Sequence, residues 1–196
     1  DPEIRRGHLR INTFSTFREV DSLPWRPEAT TWAGCDESEM RVYLEMKYGI
    51  KGSRIIEDCT VSYFGQRRIH PVREYLEPLK WDGTPRLEKL LIDYLGADDN
   101  RLTRAMTRKH FAAAVTRIFK PGCKYDYCLV LQGREGLGKS TLFSVMAGEW
   151  FSDSLISTEG KNAMEQLRGS WIIEMAELAS MRHSKVEQVK NFLTIQ

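Results

Sequence analysis

The sequence predicts an α/β fold in two parts, a mainly helical region over residues 1–120 and a strand–loop–helix core over residues 121–196. Three observations carry this. Apolar residues at helical spacing, with cap and stop signals, recur through the first part. Pro121-Gly122 then breaks the pattern. Beyond it, Tyr127-Cys128-Leu129-Val130-Leu131 is a compact apolar run leading into a glycine-rich loop. With 196 residues, 41% hydrophobic and 29% charged, the chain can bury a core and is not a disordered segment. No run approaches 18 apolar residues, which excludes a membrane-spanning helix.

The elements follow in order. Within residues 1–35, Ile11, Phe14 and Phe17 stand at helix-like spacing, and Pro24 and Pro27 break the segment around Trp25. Residues 36–48 predict a helix capped by Asp36, with Glu39 three residues on and Gly49 as its stop. A second helix spans 53–64, with Ile55, Ile56, Cys59 and Tyr63 as its apolar positions. A short third helix covers 72–76, after His70-Pro71. Trp81-Asp82-Gly83-Thr84-Pro85-Arg86 is turn chemistry, because Asp-Gly accommodates positive φ and Pro85 starts a helix that Gly96 ends. A long helix then occupies about 100–119.

The charge is +2 overall, so composition does not announce a nucleic-acid binder. Residues 1–120 carry 21 basic and 18 acidic side chains, and 121–196 carry 8 and 9, so any basic surface belongs to the first part. Arg101, Arg104 and Arg108 fall within about 60° of one helix face, from 3.6 residues per turn. No acid occurs from Asn100 to Tyr125. This stripe is the candidate DNA contact, with a plain solvated helix face as the other explanation. Cys35, Cys59, Cys123 and Cys128 lack zinc-ligand spacing and are expected to be reduced thiols. The N-terminal residues show no apolar leader, so a cytoplasmic location is the expectation. A start at Asp1 without Met points to a piece of a longer chain. The five tryptophans are expected in core and turn packing rather than base stacking.

Gly133-Arg134-Glu135-Gly136-Leu137-Gly138-Lys139-Ser140 fits G-x-x-x-x-G-K-[ST] at every fixed position. Glycines let the backbone curl so that successive N–H groups face one anion, and the helix opening at Lys139 adds its positive end. In that arrangement Lys139 reaches the β- and γ-phosphates, the Ser140 hydroxyl holds Mg²⁺, and Thr141 follows at the helix start. The side chains of Arg134 and Glu135 are expected to be exposed, because the backbone does the binding. Chance supplies this pattern in about 1% of chains this long. A helix over 139–147, stopped by Gly148, supports the reading of nucleoside triphosphate binding.

The second apolar run, Trp171-Ile172-Ile173-Glu174-Met175-Ala176-Glu177, sets a carboxylate at a strand end beside the loop. Glu174 is the metal-side acid and Glu177 the activator of an attacking water, although the spacing of three leaves those roles exchangeable.

His70-Pro71-Val72-Arg73-Glu74-Tyr75-Leu76, Trp81-Asp82-Gly83-Thr84-Pro85-Arg86-Leu87, the glycine loop and Glu174-Met175-Ala176-Glu177-Leu178 together resemble the virulence-associated protein E family. The resemblance covers about Leu9 to the C-terminus. It implies a P-loop ATPase core of the AAA+/superfamily 3 helicase type, encoded by phages, plasmids and pathogenicity islands. It further implies ATP with Mg²⁺, DNA as partner (single-stranded or at a replication fork), a ring of subunits and an associated primase. The chain departs from that pattern. Only 76 residues follow Lys120, supplying strands at 127–131, 154–158 and 171–174 and a polar helix at 185–193. The sensor residue and arginine finger have no counterpart, so the core is expected to be incomplete and a weak hydrolase alone. Two other readings stand beside this one. A phosphate-loop kinase of a small molecule or nucleoside would need a lid and an acceptor pocket. A non-enzymatic DNA-binding or assembly module would keep nucleotide as a structural ligand.

Overall fold

The computed structural model describes residues 1–153 and 165–175. It is a mixed helix and sheet structure with two small sheets among these residues. Contacts divide the chain into two compact units, residues 1–74 and 75–196.

The first unit opens with α1 (Pro2–Arg6), capped by the Asp1 carboxylate, which accepts from the Glu3 and Ile4 N–H groups. Strands β1 (Arg10–Asn12) and β2 (Arg18–Glu19) pair antiparallel, and β3 (Arg68–Ile69) joins β1 in parallel, giving the order β2-β1-β3. The helical spacing of Ile11, Phe14 and Phe17 therefore does not form a helix. Asn12 explains this: its side-chain oxygen accepts the Phe14 and Ser15 N–H groups, and its Nδ2 donates to Glu19 at 2.7 Å. That local bonding turns the chain back on itself before a helix can propagate.

Helices α2 (Asp36–Tyr48) and α3 (Ser53–Gly65) cover the sheet, with Gly49 ending α2 at φ +67°. The core gathers Leu9, Val20, Leu23, Ala29, Met40, Ile56 and Phe64. In α3 the buried stripe is Ile56, Thr60 and Phe64, spaced by four, whereas Ile55 is 65% exposed and Cys59 is exposed. The apolar face is thus rotated from the one the sequence predicts. His70 caps α4 (Pro71–Leu76): its Nδ1 accepts the Arg73 N–H.

Asp36 is not the cap of α2; Cys35 holds that position without a side-chain bond. Asp36 is instead fully buried and collects donors from three directions. Trp25 Nε1 donates at 2.9 Å, the Ala33 N–H at 2.7 Å, and the Arg26 guanidinium forms a close two-nitrogen pair with it. Burial raises the pKa of this carboxyl, but the bonds from Arg26, Ala33 and Trp25 outweigh it and hold the group below the usual carboxylate range.

The second unit begins with the turn at 81–86 and a 3₁₀ segment, Leu87–Lys89, running into α5 (Leu90–Leu95), which Gly96 ends at φ +67°. Helix α6 (Arg101–Phe119) is capped by Asn100, whose side chain accepts the Thr103 N–H. Helix α7 (Lys139–Ala147) follows the glycine loop. A short parallel pair closes the described part, β4 (Phe151–Ser152) with β5 (Ile172–Ile173). Among the described residues of this unit the buried apolar ones are Leu91, Phe111, Ile118 and Ala147. The units divide at Glu74/Tyr75 rather than after Lys120, so α6 belongs with the loop. Its Phe111 stacks on Phe143 of α7, ring centres 5.9 Å apart, and its Ala114 carbonyl accepts from Trp171 Nε1 at 3.1 Å.

Residues 127–131 form no strand; Tyr127 is 76% exposed and Val130 is exposed. A strand needs a neighbour's carbonyls and N–H groups, and among the described residues no segment supplies a ladder there. The strand expected at 154–158 and the helix at 185–193 lie outside the described residues. No helix among the described residues is long and apolar enough to cross a membrane.

Asp36→Ala is expected to destabilise the first unit by about 3 kcal/mol, because it strands the Trp25 and Ala33 donors and the Arg26 charge. Its folded pKa lies below the unfolded value, so the Asp36 contribution is complete above pH ~4 and is lost as pH falls through the lowered folded value. Denaturant melts of the two proteins at neutral pH and at pH 3 check both statements: the difference should shrink in acid.

Candidate functional site

Glycine makes the loop possible. Gly136 and Gly138 sit at φ +77° and +80°, a region that costs L side chains strain, and Gly138 is the residue from which α7 departs. The first N–H groups of a helix have no intrahelical acceptor, so those at the start of α7 are available to an anion. Residues 133–137 are exposed, including Arg134 and Glu135, as are Ser140 and Thr141. Lys139 folds back on the loop: its Nζ donates to the Gly133 carbonyl at 3.0 Å and the Arg134 carbonyl at 2.7 Å. The ammonium is therefore held at the loop rather than extended into solvent.

The acidic strand meets this loop. β4 leaves the region just after α7 and pairs in parallel with β5, and the Glu174 N–H donates to the Ser152 carbonyl at 2.8 Å. Immediately past β5, Glu174 Oε1 accepts the Ser140 hydroxyl at 2.7 Å. Its second oxygen, Oε2, is buried and has no hydrogen-bond partner among the described residues. Residues 34 apart in sequence are thus joined at the start of α7. A buried carboxylate oxygen without a donor is costly unless something else satisfies it, and a divalent cation is one such partner. Among the described residues no group of three or more His, Cys, Asp or Glu is assembled. Glu177 lies outside the described residues.

The Trp81–Arg86 turn is a second ordered feature. Arg86 donates two parallel bonds to Asp82, at 2.9 and 2.8 Å, and Asp82 also accepts the Thr84 N–H. The guanidinium holds the Asp82 carboxyl well below the usual range. Trp81 donates its indole N–H to the Thr84 carbonyl and leaves its ring 78% exposed. The opposite charges flanking Gly83-Thr84-Pro85 were the available signal for this fork.

Two of the three stripe arginines are ion-paired. Arg104 binds Asp99 through two nitrogens, at 2.6 and 2.7 Å, and Arg108 binds Glu88 at 2.7 Å. The α6 face carrying Arg101, Arg104 and Arg108 is therefore partly neutralised by acids from outside the acid-free stretch, which sequence periodicity within the helix does not reveal.

A family model described as virulence-associated protein E-like domain matches residues 76–196, more than half of the chain. The match takes in the Trp81–Arg86 turn, α5, α6, the glycine loop and Glu174. No curated protein matches the chain.

Gly136→Ala and Gly138→Ala are each expected to lower the unfolding free energy of the second unit by about 1 kcal/mol, the strain of a left-handed L residue. Gly133→Ala should cost less, since its Cβ would meet only the flexible Leu137 methyl, at 2.9 Å. Denaturant unfolding of the three variants checks the order.

Proposed function

We propose, for a chain that belongs to the virulence-associated protein E-like family, that residues 133–141 and Glu174 form a magnesium–nucleoside triphosphate site. The observation that supports this most directly is the Ser140–Glu174 bond, with the partnerless buried Oε2 beside it. The hydroxyl and the carboxylate are the oxygen ligands a hard divalent cation takes. Gly136 and Gly138 provide the backbone curl, and Lys139 provides a cation that can exchange two carbonyl partners for phosphate oxygens. Bound Mg²⁺ would neutralise charge developing on the phosphates. Glu174 would hold the metal side, and Glu177, by its sequence position, would orient the attacking water.

The reaction is ATP hydrolysis in a replication protein of a mobile element, helicase-like or linked to a primase, with DNA as partner and a ring of subunits as the working form. Arg101 and its neighbours on α6 are the candidate DNA contacts; paired guanidinia still donate to phosphate, but with less net field than a bare stripe. The kinase and assembly-module readings gain no specific observation here.

Titration calorimetry with ATP and Mg²⁺, together with turnover measured with and without single-stranded DNA, tests this. Lys139→Ala should weaken ATP binding at least tenfold, roughly the loss of one charge-assisted bond. Equal binding by Lys139→Ala would contradict the site, and phosphate transfer to a small acceptor would replace hydrolysis with the kinase reading.

A further inference from the structure

We infer that Trp171 is a positioning residue for Glu174, holding the metal-side carboxylate in register with the glycine loop by tying its strand to α6; this rests on the magnesium–nucleotide reading of the site.

Glu174 lies three residues past Trp171, across the two-residue strand β5. So short a ladder fixes a strand weakly by itself. Main-chain bonds hold the segment to the β4 region, among them Trp171 N–H to the Trp150 carbonyl at 2.8 Å and Glu174 N–H to the Ser152 carbonyl at 2.8 Å. All of them lie on one side, the side of the chain that follows α7. Trp171 adds an anchor of different origin: its indole Nε1 donates to the Ala114 carbonyl in α6, 57 residues away in sequence. The ring is half-buried, so this bond is partly shielded from water.

The same helix also supports the loop's helix. Phe111, one turn before Ala114 in α6, stacks on Phe143 of α7 with ring planes 29° apart. Ser140 lies three residues before Phe143 in α7. Both members of the Ser140–Glu174 pair are therefore referred to one rigid element, each through an aromatic side chain. A bond of 2.7 Å between them tolerates little slippage of either support. Removing the indole N–H releases β5 from α6 while leaving the loop, Lys139 and the Phe111–Phe143 stack in place. The loss should fall on the metal ligand and spare the phosphate cradle. Outer-shell groups that orient metal ligands characteristically act in this way.

The test is a ratio. ATP affinity is measured with Mg²⁺ and with EDTA, for the unsubstituted chain and for Trp171→Phe, which keeps a smaller aromatic ring and deletes the donor. The Mg²⁺-dependent gain in affinity should fall about tenfold in Trp171→Phe, with the affinity in EDTA changing by less than about twofold. Trp150→Phe is the control for loss of an indole next to the same ladder and should keep the full gain. All titrations are run below the thermal midpoint of each variant, so that folded protein is compared with folded protein. An undiminished Mg²⁺ gain in Trp171→Phe overturns the inference, as does an equal loss with and without Mg²⁺. If the unsubstituted chain binds ATP no better with Mg²⁺ than with EDTA, the reading of the site itself is overturned.

Discussion

Helix α6 is the support on which the candidate site depends. Its length allows it to reach both elements that carry functional side chains, α7 through Phe111 and the β5 segment through Ala114. Its buried stripe of Thr107, Phe111 and Ile118 faces the second unit's small core; Thr107 spends its hydroxyl on the Thr103 carbonyl, while the neighbouring His110 Nδ1 is buried without a hydrogen-bond partner among the described residues. Among the described residues the unit's other elements are shorter: the nine-residue α7, a six-residue helix, two 3₁₀ turns and a two-residue ladder. In such a unit the longest helix sets the geometry.

Two kinds of interaction divide the labour. The first unit is held by an apolar core and by the buried carboxylate of Asp36, which ties Trp25, Arg26 and the start of α2 together. Among its described residues the second unit buries fewer apolar side chains and carries exposed charge pairs, such as Asp82–Arg86 and Arg108–Glu88. Exposed pairs contribute little to stability, but a two-bond fork fixes the shape of a turn. The Trp81–Arg86 turn is a case of shape without depth.

Much of the fold was legible in the sequence where local chemistry decides it. Gly49 and Gly96 end their helices in the left-handed region, and the loop–helix boundary falls at Lys139. Legibility failed where distant partners decide. Ile11, Phe14 and Phe17 carry helical spacing, yet Asn12 bonds locally and β1 finds β3 more than fifty residues away. Asp36 reads as a cap because its donors, Trp25 and Ala33, cannot be seen from the helix sequence. The apolar run at 127–131 has strand composition, but composition does not supply a neighbouring strand. At the site, the motif gave Lys139 and Ser140, and the strand-end rule gave Glu174. The Trp171–Ala114 tie had no sequence signal, since an indole donor pairing with a helix carbonyl leaves no pattern in spacing.

The central claim is that Ser140 and Glu174 act as one unit in holding a nucleotide-bound metal. A double-mutant cycle on Mg²⁺-dependent ATP affinity, with Ser140→Ala, Glu174→Gln and the pair, tests it most directly. The account predicts strong non-additivity: either single substitution removes most of the Mg²⁺ gain, and the double variant loses little more. Losses that simply add would show that the two groups act independently, and the hydrogen bond between them would then have no bearing on the metal.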